Sequence, residues 1–313
     1  MSRHRWLMLL LGLTLVRGLI YAVVIPPWQA PDETGHFEYA WLIARLGRLP
    51  ATGDLSPTFE RELVGSLYEW RYGEFIRRSL PERMPTRIGD LPSPIFASQS
   101  RTVLTGRFSL AYLWQAVFLL PFRYQALAFQ LYAARLSSVL LNVAITWLAI
   151  QTFLELVPSR STSAFLMAAV VTFLPQHTFI NSAVGDGVLA GLMACLVLYC
   201  WVRLFRHGPR FWEMVGLALG TCVGIWSKTT AAFLIPVNIG LAIWWLVRCY
   251  WQSRFNRQHL IYLCASVVLL GTGVWLWSRF SYLGTHTLQS VYSFRQALLT
   301  SEPLWMDVRG LTG

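Results

Sequence analysis

The chain has 313 residues, of which 55% are hydrophobic and only 13% charged, and its mean hydropathy is positive; this excludes an ordinary soluble domain, whose core needs a charged surface around it. A net charge of +11 would point to nucleic acid in a soluble protein, but the basic residues are dispersed over loops without a compact patch, so membrane orientation accounts for them and no nucleic-acid partner is expected. GxGxxG, Walker, HExxH and GxSxG signatures are all absent, which argues against a nucleotide-binding domain and against the common hydrolase sites.

A bilayer core about 30 Å thick needs roughly 20 apolar helical residues. Runs at about 6–25, 134–156, 164–180, 187–205, 211–226, 230–248 and 259–278 fit that length or fall slightly short, which predicts an all-α bundle of about seven spans. The basic N-terminus before the first run imitates a secretory signal, but Arg17 interrupts the run and no small-x-small cleavage site follows, so the segment reads as a retained anchor.

The first span is followed by a large polar insert, 26–133. Its beginning, 31–46, reads as an amphipathic helix with Pro31 in the first turn and Phe37, Trp41 and Ala44 at helical spacing. Positions 50–107 are rich in Pro, Gly, Ser and mixed charge, the composition of a partly ordered loop with short helices. The apolar stretch 108–122 is only 15 residues long, and whether it crosses decides the sidedness of every later loop. If it does not cross, Arg3, Arg5, Arg160, Arg203, Arg206, Arg210, Arg248, Arg254 and Arg257 share one side, and the short loops opposite, 181–186 and 227–229, hold one base, Lys228. The positive-inside rule therefore makes 108–122 a juxtamembrane or re-entrant helix, with the N-terminus cytoplasmic and the insert external, in the periplasm of a bacterial inner membrane. The bundle is assigned 1–278 and an external tail 279–313.

Polar residues on the external face then form a sparse set: Asp32, Glu33 and His36 after the first span, Asn181 and Asp186 after the third, Lys228 after the fifth. Asp186 is the only acid between Glu155 and Glu213, and Lys228 the only lysine in the chain. A carboxylate bordering hydrocarbon is costly to desolvate and needs a partner or a task. Each has a plain alternative: Asp32, Glu33 and Asp186 as first-turn acids favoured by helix amides, Lys228 as a snorkelling side chain. Arg17, near the middle of the first span, should face the interior and find an acid, a phosphate or a structural partner. His36 is a ligand, a proton carrier or an interface histidine. His177 and the Trp-rich span ends read as structural, and the five cysteines as small buried hydrophobes.

The stretch Trp28-Gln29-Ala30-Pro31-Asp32-Glu33-Thr34 resembles the first external loop of the C-type (GT-C) membrane glycosyltransferases, the superfamily of protein mannosyltransferases and lipid A aminoarabinose transferases. Arg135-Leu136-Ser137-Ser138 is similar to the start of that family's second span, Pro175 through Asn181 to Asp186 to its segment with a second external Asp, and Ser227-Lys228-Thr229 to its Lys-Thr turn. The order and spacing agree over about 6–250, most closely with a bacterial subset of uncharacterised predicted membrane proteins.

The resemblance implies an inverting transfer of sugar from a polyprenyl-phosphate donor to a glycan, lipid or protein acceptor. It gives Asp32, Glu33 and Asp186 the catalytic positions, with Lys228, His36, Asn181 and Arg17 as substrate-binding candidates. Where some relatives carry an acidic metal-site residue, this chain reads Leu104-Thr105-Gly106-Arg107, so no metal ligand is assigned and the cofactor stays open. Relatives usually continue with more spans or an external domain, so a fragment or a reduced form is expected. The alternative reading is a membrane transporter or a non-catalytic component of envelope polysaccharide or lipid export.

Overall fold

The computed structural model describes residues 3–50, 54, 57–77, 80–86, 109–251, 261, 264, 267, 268 and 270–276. Among them every regular element is helical. Four helices are long and apolar enough to cross a bilayer: α1 (Arg3–Val24), α6 (Leu127–Leu156), α9 (Gly187–His207) and the segment Thr229–Trp251, whose main part is α11 (Leu234–Trp251). A fifth is added if α7 (Ser161–Thr172) and α8 (Pro175–Asn181), bent by 64°, count as one broken span. The chain is an integral membrane protein by these segments.

The expectation of seven spans is therefore met in part. The run at 164–180 is broken because Pro175 biases the residue before it away from helical geometry, and Leu174 sits at φ −58°, ψ 127°. The run at 211–226 is α10 (Phe211–Ser227), 17 residues and short for a crossing. The run at 259–278 lies largely outside the described residues, as do 87–108 and the tail 279–313.

Within the bundle, close backbone approaches set the helix pairs. Gly18 of α1 lies against α6 so tightly that an added Cβ would stand 2.7 Å from Val139 Cγ1, and at Gly220 of α10 it would stand 2.9 Å from Val197 of α9. Small residues at such contacts are how membrane helices gain packing without a hydrophobic drive between them. Trp201 Nε1 donates to Asn238 Oδ1 and Asn238 Nδ2 to Thr221 Oγ1, which ties α9, α11 and α10. Cys200 and Cys249 are buried in this half, Cys195 and Cys222 half-buried and Cys264 exposed; all five are free thiols, so burial describes only some of them.

The insert builds a core of its own. Helix α2 runs Glu33–Leu46, α3 Pro57–Glu69, α4 Tyr72–Phe75 and α5 Leu110–Leu119, extended by a tight turn, Leu120–Phe122. Pro31 stays two residues outside α2, and the helix is not one-faced: every side chain from Phe37 to Ala44 is buried, because α3, α5 and the start of α6 surround it. Phe59 stacks against Phe37 and Trp41, with ring centroids 6.3 and 4.5 Å away. Trp28, fully buried with φ 71°, sends Nε1–H to Ser66 Oγ at 2.9 Å and so pins α3 to the chain leaving α1.

A buried charge pair is at the centre of the join between this unit and the membrane helices. Arg135, in the third turn of α6 and 0% exposed, donates Nε–H to Glu33 Oε1 at 2.8 Å and an Nη2–H to Glu33 Oε2 at 2.6 Å. Its remaining donors go to the carbonyls of Ala22, Ile25 and Pro26, the unwinding end of α1. Glu33 also accepts the backbone N–H of Trp28 and of Val184, each at 3.2 Å. All five guanidinium donors are thus used. Removing one partner strands the other, so Arg135→Leu and Glu33→Ala should each lower stability by about 3–5 kcal/mol. Thermal unfolding in detergent checks this; a surface control such as Arg71→Ala should stay within about 0.5 kcal/mol of wild type.

Candidate functional site

Chain direction and hydrogen bonds put the ends of α1, α6, α8, α9 and α10 that carry 24–33, 127–135, 181–187 and 227–229 at one end of the bundle. Glu155, Arg203, His207 and Glu213 join at the opposite end, where His207 Nε2 meets Glu155 Oε2 at 2.9 Å and Arg203 Nε–H meets Glu213 Oε1 at 2.8 Å. Exposed Trp212, Tyr250 and Trp251 ring that second end as an interfacial belt would.

At the first end, Asp32 opens α2 in the left-handed region, φ 54°, ψ 14°. That conformation costs a non-glycine residue roughly 1 kcal/mol, and Asp tolerates it better than most. The Asp32 carbonyl accepts the N–H groups of Gly35 and His36, while its side chain makes no capping bond and is exposed. Asp32 is the N-cap residue but leaves its carboxylate open, and Glu33, the acid of the first turn, gives both oxygens to Arg135 and two backbone amides. Glu33 therefore sits in the frame of the site rather than on its surface.

His36, one turn on, is half-buried. Its Nδ1 lies 2.6 Å from the Tyr112 hydroxyl, with the rings stacked at 5.7 Å. Its Cδ2 borders Gly185 in the loop after α8, and Gln115 of α5 donates Nε2–H to the Gly185 carbonyl at 2.7 Å. The next residue, Asp186, is 4% exposed and stands before α9 without capping it. Instead it accepts from Lys228 Nζ at 2.9 Å. The Lys228 side chain is 38% exposed against 6% for Asp186, so the ammonium reaches from the open side to a buried acid instead of snorkelling alone. Ser109 Oγ donates to the Ser227 carbonyl at 2.8 Å, fixing the start of α5 beside the Lys228 turn.

Asp32, Glu33, His36, Asp186 and Lys228 thus share one neighbourhood, through Glu33 on Val184 and His36 against Gly185. Arg17 and Asn181 belong to another. Arg17 Nη1 donates to the Phe173 carbonyl at 2.5 Å and its guanidinium lies 5.3 Å over the Phe173 ring, a structural partner inside the bundle. The physical reason is the Pro175 break, which frees carbonyls at the end of α7, where a cation is favoured. Asn181 Nδ2 reaches Asn142 Oδ1 at 3.1 Å and the His177 ring at 2.9 Å. His177, given no role by the sequence, is part of that internal link. Among the described residues no three His, Cys, Asp or Glu side chains gather as a metal site.

Several residues of the site were missed in the sequence. In sequence Arg135 marks only the start of a span, yet α6 begins eight residues before it. Ser109, Tyr112 and Gln115 recur every third position in an otherwise apolar segment, a polar face that could have been noticed.

In comparisons with family models, with curated proteins and with solved structures, nothing matches this chain.

Tyr72 of α4 carries an electrostatic record of the site. Its hydroxyl pKa is raised above the ordinary value of 10.0, first by burial and then by the charges of Asp32 and Glu33. Removing the Asp32 charge should bring it part of the way back down. Ultraviolet titration of Asp32→Asn, with Tyr72→Phe as the subtraction blank, measures this; an unmoved Tyr72 titration would separate the two groups.

Proposed function

We propose that this chain is a membrane glycosyltransferase that moves a sugar from a polyprenyl-phosphate donor to an envelope acceptor on the face that carries Asp32. The observation behind the reading is an exposed, uncapped carboxylate on the same end of the bundle as a lysine held by a buried acid. Direct displacement needs both: a base for the acceptor hydroxyl and a cation for the leaving phosphate.

In this reading the acceptor hydroxyl gives its proton to Asp32 as its oxygen attacks the anomeric carbon. The carbon–oxygen bond to the phosphate breaks with its electron pair on the lipid phosphate, and one displacement inverts the anomeric centre. Lys228 faces the departing phosphate. It has three N–H donors and gives one to Asp186, so two remain for phosphate oxygens. Asp186 orients the ammonium; His36, held by Tyr112, borders the same loop and is placed to bind the acceptor. Glu33 serves by locking the start of α2, which fixes Asp32. Arg17 and Asn181 support α7 and α8 from a distance.

Transport is the second reading, and the Arg17, His177, Asn181 and Asn142 residues inside the bundle at a broken helix favour it, since transporters place polar groups at broken helices. Mass spectrometry of lipid-linked sugars and envelope glycans in a deletion strain separates the two. Accumulated donor with a missing glycan modification supports transfer; unchanged glycans with altered solute uptake support transport.

Asp32→Asn keeps the side-chain shape but not the base. It should insert and purify like wild type, bind donor nearly as well and lose transfer by about 10²-fold or more. A purified Asp32→Asn protein with full activity would remove Asp32 as the base. The sidedness is checked separately in a cysteine-free background: Arg71→Cys should react with an impermeant thiol reagent in intact cells and Arg210→Cys should not, and the reverse pattern would place the site on the cytoplasmic face.

A further inference from the structure

Away from the Asp32 neighbourhood, the far ends of α2 and α5 bring two guanidinium groups to one ring. Arg45 lies 5.4 Å from the Tyr124 centroid and Arg123 lies 4.8 Å from it. Arg45 also stands 5.1 Å over Trp41. Two like charges around one tyrosine repel, an anion between them would offset that repulsion, and no described carboxylate pairs with either. The nearby Arg48 differs, since it is held by Asp54 at 2.6 Å. Tyr124 is 77% exposed, and both arginines are exposed, so the opening faces outward.

The surroundings identify the medium. Leu46, Leu120 and Phe129 are exposed apolar side chains beside this cluster, and Phe129 begins a run of exposed residues down α6 that continues through Leu136, Leu140 and Trp147. Helix α6, at 30 residues, is about 45 Å long, roughly 15 Å more than a hydrocarbon core. Tyr124 lies just before its first residue. With this surplus at the Tyr124 end, the arginine pair would stand in the headgroup layer, with the apolar run below it in the acyl chains. Tyrosine with basic side chains at that depth matches what an anionic lipid surface attracts.

We propose that Arg45 and Arg123, with Tyr124 between them, form a binding site for the phosphate of an anionic phospholipid, whose acyl chains lie along Leu120 and Phe129. The site holds the insert against the bilayer through the ends of α2 and α5. It does not depend on the glycosyltransferase reading, because none of its residues belongs to the Asp32 neighbourhood.

The test is native mass spectrometry of the full chain released from neutral detergent, titrated with short-chain phosphatidylglycerol and, separately, phosphatidylcholine of the same chains. Wild type should bind the anionic lipid more tightly, by about fivefold for each guanidinium. Arg45→Gln with Arg123→Gln should lose that preference while phosphatidylcholine binding stays the same, and Arg45→Lys with Arg123→Lys should keep much of it. An unchanged unfolding midpoint in lipid-free detergent shows that the variants fold. Equal affinity of wild type for both lipids, or an unaltered preference in the Gln double variant, overturns the proposal. Displacement of phosphatidylglycerol by millimolar inorganic phosphate also overturns it, by making the site one for a soluble anion.

Discussion

Arg135 and Glu33 are the most deeply committed charges among the described residues, with side-chain exposures of 1% and 0%, and the rest of the site end hangs from them. Through this pair α6 grips the unwinding end of α1, the start of α2 and the loop before α9. An ion pair taken out of water gains little net stability over an apolar contact of the same size, because desolvation offsets most of the attraction. What it adds here is geometry. Five guanidinium donors and four carboxylate contacts admit one arrangement of three segments, and that arrangement fixes both Asp32 at the head of α2 and the loop leading to Asp186.

The polar residues of the bundle divide by task. Pairs whose demands are met inside the protein, such as Trp201 on Asn238 or Arg135 on Glu33, hold together what helix ends and crossings leave unbonded. The Asp32 carboxylate and the open side of Lys228 face outward with capacity to spare. That contrast, more than the presence of charge, separates the proposed chemistry from the scaffold, because a satisfied buried group offers nothing to a substrate.

How much of this was legible in sequence follows from range. Apolar runs are a local signal, so α1, α6, α9 and α11 were visible, as was the position of α2. The break at Pro175 was present in the sequence too, but a bend of 64° depends on where the freed carbonyls find partners, and Arg17 supplies one from 156 positions away. Asp32, Asp186 and Lys228 stood out because each is rare in its surroundings. Glu33 could not be told from Asp32 on local grounds: the two are adjacent acids at one helix start, and only the partner on α6 divides them into a frame residue and an open one. Tyr112 and Gln115 were hidden for the same reason, since a tyrosine and an amide in an apolar helix acquire meaning from His36 and the Gly185 carbonyl.

The Arg135 junction also bears on how the chain is made. Glu33 leaves the ribosome 102 residues ahead of Arg135, with all but the first residues of the insert between them. During that interval the carboxylate has to stay hydrated, and the carbonyls at the end of α1 have water as their partner. The aromatic core around Trp28, Phe37 and Phe59 can begin to collapse, but its attachment to the membrane waits until α6 is in place. Assembly of the insert is therefore gated by the insertion of a later helix, and a chain stalled before α6 would present an unpaired acid and an undocked apolar core to the quality-control proteases of its membrane.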